Sequence, residues 1–281
     1  MTRHLTARTR LIALLGDPVT HSLSPVVQNA AIRAARLDGV YVALRCSGDE
    51  VGLLLRALAH AGGAGNVTLP HKEAAALAVD RRTEAVEATG ACNCFWLEGG
   101  EVWGDNTDVE GVGAAIRSLL GRSITGARVL VAGAGGGARA VVHSLVRHGA
   151  EEVVVVNRTH ERARDLARRF GTARTPVRVV GSAGEVDGGS FDLAVNATSL
   201  GLREDDPLPL DPETLPRIDA ALDLVYARGG ETRWVRAMRR REIPATDGSE
   251  MLLLQGAAAF RRWWGVNAPL EVMRAALAEQ R

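Results

Sequence analysis

A glycine-rich turn constrains this chain more than any other stretch of it. Val131-Ala132-Gly133-Ala134-Gly135-Gly136-Gly137-Ala138-Arg139 follows the apolar run Arg128 to Ala132 and precedes a helix-like run from Ala138 to His148. Strand, glycine turn and helix in that order point to a dinucleotide-binding fold. Gly133 permits the tight turn out of the strand, Gly135 lets the backbone approach a pyrophosphate, and Ala138 is small enough for the helix to lie close on the sheet. Free N–H groups and the dipole at the new helix's N-terminus favour phosphates. A strand-to-helix turn without a ligand would also choose glycines, so the pattern needs a second signal.

That signal lies about twenty residues further on, where such a fold places its ribose-reading residue. The next strand, Glu152 to Val156, ends in Asn157-Arg158-Thr159, and Arg162 follows one helical turn later. A site for NAD would carry Asp or Glu here, to bond both ribose hydroxyls. Two cations stand in place of the carboxylate, so a 2′-phosphate is attracted where an acid would repel it, and the expected cofactor is NADP. The ordinary alternative is a solvated Arg-rich helix carrying Arg162, Arg164, Arg168 and Arg169.

At 281 residues and 46% hydrophobic composition, the chain suits two modest domains with two buried cores. A formal net charge of +1 provides no overall field toward nucleic acid or an anionic membrane. The run Arg239-Arg240-Arg241 reads as a solvated helix end. No apolar stretch is long enough to span a bilayer, and Met1 to Arg10 has no hydrophobic signal core, so a cytoplasmic protein is expected. Cys46, Cys92 and Cys94 are odd in number and read as small core residues, with no metal site or disulfide framework expected.

Ahead of the glycine turn the pattern alternates. Strands are expected at Leu11 to Leu15, Val40 to Leu44 and Asn66 to Leu69, with helices at Pro25 to Leu37, Val51 to Ala61 and His71 to Val79. Cys92 to Leu97 and Glu101 to Gly104 around Glu98-Gly99-Gly100 read as a hairpin, and Thr107 to Leu119 as a connecting helix. Further strands fall near Val177 to Val180, Leu193 to Asn196 and Ala221 to Val225, and a helix at Glu231 to Arg241. The last two helices, Glu250 to Trp264 and Pro269 to Glu279, are amphipathic and could finish either domain.

Three stretches carry polar groups suited to chemistry. In Gly16-Asp17-Pro18-Val19-Thr20-His21-Ser22-Leu23-Ser24-Pro25, two hydroxyls at i and i+2 of extended backbone point one way toward a helix N-terminus, a neutral clamp for a carboxylate. The alternative is that Ser24 caps the helix. Asn66 and Thr68 share a face of a short strand, and Lys72 stands just past Pro70 at a helix start, where its charge opposes the dipole. Asn93, then Asn106-Thr107-Asp108, form a third cluster, in which Asp108 as a helix cap is the plain alternative.

The order of Ser22-Leu-Ser24-Pro, Asn66-Val-Thr68-x-Pro-x-Lys72, Gly90-Ala-x-Asn93, Gly104-x-Asn106-Thr-Asp108, Gly133-Ala-Gly-Gly, Asn157-Arg-Thr159, Asn196-Ala-Thr198-Ser-x-Gly-Leu202, Asp223-Leu-Val225-Tyr226 and Gly248-x-x-Met251-Leu-x-x-Gln255 resembles the shikimate dehydrogenase family over nearly the whole chain. The resemblance implies a two-domain α/β enzyme with a cleft between the domains. A substrate domain, residues 1–107 and 244–281, would be completed by the C-terminal helices, and residues 108–243 would be a Rossmann-type NADP-binding domain. It implies NADPH-dependent, reversible reduction of 3-dehydroshikimate to shikimate, with Lys72 and Asp108 as the catalytic pair. Ser22 and Ser24 would hold the substrate carboxylate. Asn66, Thr68, Asn93 and Gln255, with Asp108, would bind the ring oxygens, and Tyr226 would line the cleft. Gly133, Ala134, Gly135, Gly136, Gly137, Asn157, Arg158, Thr159, Arg162, Asn196, Thr198, Val225 and Gly248 would hold NADP. A monomer or homodimer is expected, with a small-molecule substrate and neither nucleic acid nor membrane as partner. The chain departs from the family pattern in Cys92 and Cys94 around Asn93, and in Ala227-Arg228 after Tyr226.

Overall fold

Short apolar runs closed by Gly, Pro or Asp become strands, and the periodic stretches between them become helices. The structure is a computed structural model that describes residues 5–185, 189–227 and 230–280. The chain divides into two compact units. One runs to Thr107 and resumes at Leu253–Gln280, and the other is Asp108–Leu252.

The first unit is laid down as β1 (Arg10–Gly16), α1 (Ser24–Ala34), β2 (Gly39–Arg45), α2 (Val51–His60), β3 (Ala64–Val67), α3 (Lys72–Ala78), β4 (Arg81–Arg82), α4 (Glu84–Thr89), β5 (Cys94–Glu98) and β6 (Glu101–Asp105). Its sheet has the order β2-β1-β3-β5-β6-β4, with β1 parallel to β2 and β3, and β5 antiparallel to β3 and β6. One face buries Leu15, Val51, Leu55, Val67 and Phe95 together. The β5–β6 hairpin turns on Gly99 and Gly100, with φ of 61° and 83°, the two positive values that a tight two-residue hairpin demands. The short β4 and α4 fall where no strand or helix was expected, because Arg81-Arg82 and a six-residue helix are too brief to show a period.

The second unit runs α5 (Thr107–Leu120), β7 (Arg128–Ala132), α6 (Gly136–Arg147), β8 (Glu152–Val156), α7 (His160–Phe170), β9 (Val177–Val180), β10 (Ser190–Phe191), β11 (Leu193–Asn196), β12 (Arg217–Ile218), β13 (Ala221–Asp223), α8 (Arg233–Arg240) and β14 (Ala245–Thr246). Its six-stranded sheet has the order β14-β13-β11-β7-β8-β9, with every pairing parallel. Counted along the chain, these strands stand 3-2-1-4-5-6 across the sheet, the doubly wound arrangement of dinucleotide-binding domains. Helices cover both faces, so Val153 to Val155 and Leu193 to Val195 are continuous apolar runs with no exposed side. Arg239 is not a merely solvated helix end. Its guanidinium donates to the Ala245 carbonyl at 2.7 and 3.1 Å and pairs with Glu231.

The chain then continues in α9 (Ser249–Trp264) and α10 (Leu270–Ala278). Both helices close the first unit: α10 packs on α1, Gln28 Nε2 donates to the Gly256 carbonyl at 2.9 Å, and the Trp264 indole covers Gly39. The return comes at Leu253 and not at Pro244, because Ala245–Thr246 adds a strand beside β13 and keeps residues 244–252 with the second unit.

Of the element boundaries that differ from the sequence reading, three lie beside the polar clusters and the glycine turn. Strand β3 ends at Val67, so Thr68 lies in the loop beyond it. There Thr68 N–H still donates to the Leu15 carbonyl at 2.8 Å, while Pro70, with no N–H, closes the pairing. The hairpin starts at Cys94, and α6 starts at Gly136, two residues before Ala138.

Candidate active site

In the first unit the polar residues converge at the carboxyl ends of β1 and β3 and at the joint between β6 and α5. Ser22 and Ser24 are not set out on extended backbone. Leu23 between them has φ −91° and ψ −5°, and the Ser24 N–H donates to Ser22 Oγ at 3.2 Å. The helix cap is Leu23, with no side-chain cap bond, so Ser24 is not spent as the cap. Gly16 makes room for the loop after β3, since a Cβ there would meet the Thr68 methyl at 2.4 Å.

Asn66 is 6% exposed and is held on both sides of its amide. Tyr41 Oη donates to its Oδ1 at 2.9 Å, and its Nδ2 donates to the Asn93 carbonyl at 2.9 Å. The Asn93 side chain continues the chain of contacts: its Oδ1 accepts from Thr107 N at 2.8 Å, and the Thr107 hydroxyl lies 3.1 Å from it and 3.4 Å from Gln255 Oε1. Asn93 thus meets the first backbone N–H of α5, and Asp108 stands in that helix's first turn, 7% exposed. Lys72 opens α3, half-buried, and its carbonyl accepts from Cys92 N at 2.8 Å, next to Asn93.

Sequence reasoning missed Tyr41 and Asp105. The one signal for Tyr41 is a hydroxyl in an otherwise aliphatic strand. Asp105 is 4% exposed and accepts from Thr83 Oγ1 at 2.6 Å, Asn106 N at 2.8 Å and Arg262 Nε at 2.9 Å, which fixes the bend into Asn106-Thr107. The three cysteines are free and buried. Burial pushes the Cys92 thiol up to about 12 and raises Cys94 and Cys46, so none is a thiolate nucleophile. Their departure from the family pattern is core packing: Cys92 Sγ lies 3.2 Å from the Cys94 carbonyl.

In the second unit the glycine turn leaves β7 at the point where the strand order reverses, between β7 and β11. Gly133 has φ +111°, and a Cβ there would stand 2.8 Å from the Ala197 carbonyl oxygen. Gly135 and Gly136 face open space, so no side chain fills the start of α6, while Ala138 is fully buried against the sheet. At the end of β8, Arg158, Thr159 and Arg162 are exposed, and Asn157 Nδ2 donates to the Thr159 carbonyl at 2.8 Å. A bare glycine cradle with cations at the next strand end fits a phosphorylated dinucleotide.

Beyond β11, Asn196 Oδ1 accepts from Thr198 N at 3.0 Å and from Thr198 Oγ1 at 2.7 Å. Gly248 donates to the Val225 carbonyl at 3.0 Å and lies so close to Leu224 that a Cβ would be 2.2 Å from its carbonyl oxygen. Tyr226 is half-buried, whereas Arg228, part of the second departure, lies outside the described residues. No helix among the described residues is long and apolar enough to cross a membrane.

Comparison with known proteins adds a decisive observation. Residues 14–95 match the shikimate dehydrogenase substrate binding domain, residues 115–186 the shikimate/quinate 5-dehydrogenase model, and residues 248–278 the shikimate 5′-dehydrogenase C-terminal domain. A shikimate dehydrogenase (NADP(+)) of Rubrobacter xylanophilus is 43% identical over 273 residues, 96% of each chain. The chain belongs to the shikimate dehydrogenase family. Among family structures, the enzyme from Aquifex aeolicus has a TM-score of 0.88 at 34% identity, covering 98% of this chain and 99% of that one. The Thermus thermophilus enzyme, solved with NADP(H) and shikimate, has a TM-score of 0.85 at 36% identity, covering 97% and 100%. The family's α/β architecture with a parallel nucleotide-binding sheet is the one described above.

Proposed function

We propose that this chain is an NADP-dependent shikimate dehydrogenase, reversibly reducing 3-dehydroshikimate to shikimate on the route to aromatic amino acids. The observation that carries the reading is the hydrogen-bonded set Tyr41–Asn66–Asn93–Thr107–Gln255, which fixes three amides beside the loop that bears Lys72. Such a set suits a small ring with several hydroxyls, because a fixed amide can donate to one oxygen and accept from another. Asn66, Thr68, Asn93, Asp108 and Gln255 take the ring oxygens, Ser22 and Ser24 take the carboxylate, and Tyr226 lines the site.

NADPH supplies the hydride when bound. Ala134, Gly135, Gly136 and Gly137 would present backbone N–H groups to its pyrophosphate, Gly133, whose N–H donates to the Val156 carbonyl at 2.8 Å, would shape the turn, and Asn157, Arg158, Thr159 and Arg162 would take the 2′-phosphorylated ribose. Asn196, Thr198, Val225 and Gly248 border the rest of the cofactor. Lys72 holds an ammonium proton at the substrate oxygen that becomes an alkoxide during reduction, and accepts it back in the reverse direction. Asp108 orients Lys72 and accepts from a substrate hydroxyl. Three unpaired buried thiols fit a reducing, cytoplasmic setting, and a monomer or homodimer is the assembly we favour.

The test is oxidation of shikimate, quinate and buffer alone, followed through NADP reduction and repeated with NAD. Turnover confined to shikimate and NADP is expected. No turnover with any substrate would leave only a binding protein on this scaffold.

Three single variants sharpen that result. Arg158→Ala should weaken NADP by roughly one to two powers of ten, the effect of losing a charge-assisted bond, while NAD barely changes. Equal losses for both cofactors would remove Arg158 from the 2′-phosphate. Ser22→Ala or Ser24→Ala should raise KM for shikimate with NADP affinity unchanged, since binding made equally in ground and transition states appears in KM. The clamp assignment fails if the methyl ester of shikimate, which lacks the anion, serves the parent equally well.

A further inference from the structure

The glycine turn and the basic end of β8 account for one side of the parallel sheet's carboxyl edge. On the other side, at the ends of β11 and β13, sits an acid that the assignments above do not use. Asp223 is 0% exposed. Its Oδ1 accepts from Asn196 Nδ2 at 2.8 Å and from Val225 N at 3.0 Å, and its Oδ2 accepts from Thr232 Oγ1 at 2.7 Å. Burial pushes its carboxyl up to about 6 against the opposing effect of these three donors. A buried carboxyl is a costly way to hold a turn, so its three partners matter.

Those partners are the starts of three segments. Asn196 also donates to the Leu200 carbonyl at 3.0 Å and accepts from both the N–H and the hydroxyl of Thr198, whose hydroxyl in turn accepts from Leu200 N at 3.0 Å. Between Asn196 and Thr198, the Ala197 backbone is set against Gly133 and donates to the Ala132 carbonyl at 2.8 Å. Val225 begins the segment leading to Tyr226, and its carbonyl receives Gly248 N. Thr232, the N-cap of α8, accepts from Val235 N and fixes where the Val225 segment ends. One carboxylate therefore sets the loop after β11 and the loop after β13 with respect to each other and to the glycine turn.

A dinucleotide crosses a doubly wound sheet at the reversal of strand order, here between β7 and β11. With its adenosine half on the β8 side, by Asn157 and Arg158, its nicotinamide half falls to the β11 and β13 side. We propose that Asp223 is a positioning residue for the nicotinamide half of NADP, acting through the Asn196–Leu200 loop and Val225. The proposal rests on the cofactor reading above.

The test compares two probes on the full chain: NADPH, which spans both sides, and adenosine 2′,5′-bisphosphate, which carries only the adenosine half. Asp223→Ala should weaken NADPH about tenfold or more while the bisphosphate changes less than about twofold, since the strand ends lose an acceptor on one side only. Asp223→Asn should recover most of that loss, because an amide oxygen still accepts from Asn196 and Val225 and the amide nitrogen can donate to Thr232. In steady state the alanine variant's defect should lie in KM for NADPH more than in KM for shikimate. Equal weakening of both probes, or none of either, would overturn the proposal. Should Asp223→Ala fail to fold, Thr232→Val decides by the same criterion, with an NADPH-only loss of about threefold expected. A parent that binds neither probe would instead bring down the cofactor reading, and this proposal with it.

Discussion

Lys72→Ala is expected to lower kcat by about 10²–10⁴, the usual share of general acid–base assistance, with shikimate and NADP still bound. Hydride arriving at a ring ketone leaves negative charge on oxygen, and that oxygen must be met by a proton or a cation. Lys72 opens α3, where its charge opposes the helix dipole, so its position is bought by something other than helix stability. The backbone around it is tightly fixed: its carbonyl accepts from Cys92 N, and the neighbouring His71 ring lies 2.9 Å from the Cys46 carbonyl. Truncation to alanine therefore removes the ammonium without releasing the loop. Asp108→Asn should also slow turnover and add a KM effect, because the role proposed for the carboxylate is to serve both lysine and substrate. Single-turnover rates and separate ligand-binding measurements would distinguish chemistry from binding. A folded Lys72→Ala variant that binds both ligands and turns over at the parent rate would leave the enzyme standing but discard Lys72 as its acid–base group.

What the sequence made legible followed from period and from the special conformations of Gly and Pro. The strands Arg128–Ala132, Glu152–Val156 and Leu193–Asn196 were readable because a doubly covered parallel sheet demands uninterrupted apolar runs with polar ends, while Val177–Val180, at the sheet edge, carries an exposed Arg178. Arg158 and Arg162 stood out in the sequence because a carboxylate is expected at that strand end, and the structure leaves both exposed after β8. Hidden from the sequence were residues that act through a tertiary partner. Tyr41 is a core residue until Asn66 is seen beneath its hydroxyl, and Asp105 looks like any hairpin acid until Thr83 and Arg262, far apart in the chain, meet it. The seryl pair was legible as a motif but not in conformation: Ser22 bonds the Ser24 N–H through a local turn, where alternating extended backbone was expected. The compact units divide at Leu253 where the sequence suggested 244, since β14, of two residues, is too short to show that the sheet takes one more strand.

Two neighbouring glycines should separate stability from cofactor binding. At Gly133, φ of +111° is a conformation that side chains rarely adopt, and a Cβ would lie 2.8 Å from the Ala197 carbonyl oxygen, a backbone atom held in place by the Asn196 and Ala132 contacts. Strain of about 1–3 kcal/mol and overpacking of similar size then act together, so Gly133→Ala should cost about 2–6 kcal/mol in urea unfolding of the chain. Gly135 differs in both respects. Its φ is −87°, and a Cβ there meets nothing within 4 Å. Gly135→Ala should leave stability within about 1 kcal/mol of the parent, with a gain as plausible as a loss, since alanine restricts the unfolded chain more than glycine does. Yet the open space that makes this change harmless to the fold is where a pyrophosphate must approach the backbone. NADPH affinity should therefore fall by about tenfold or more in a protein as stable as its parent. A Gly135→Ala variant that binds NADPH normally would show that the pyrophosphate does not lie on this turn, whatever the family resemblance implies.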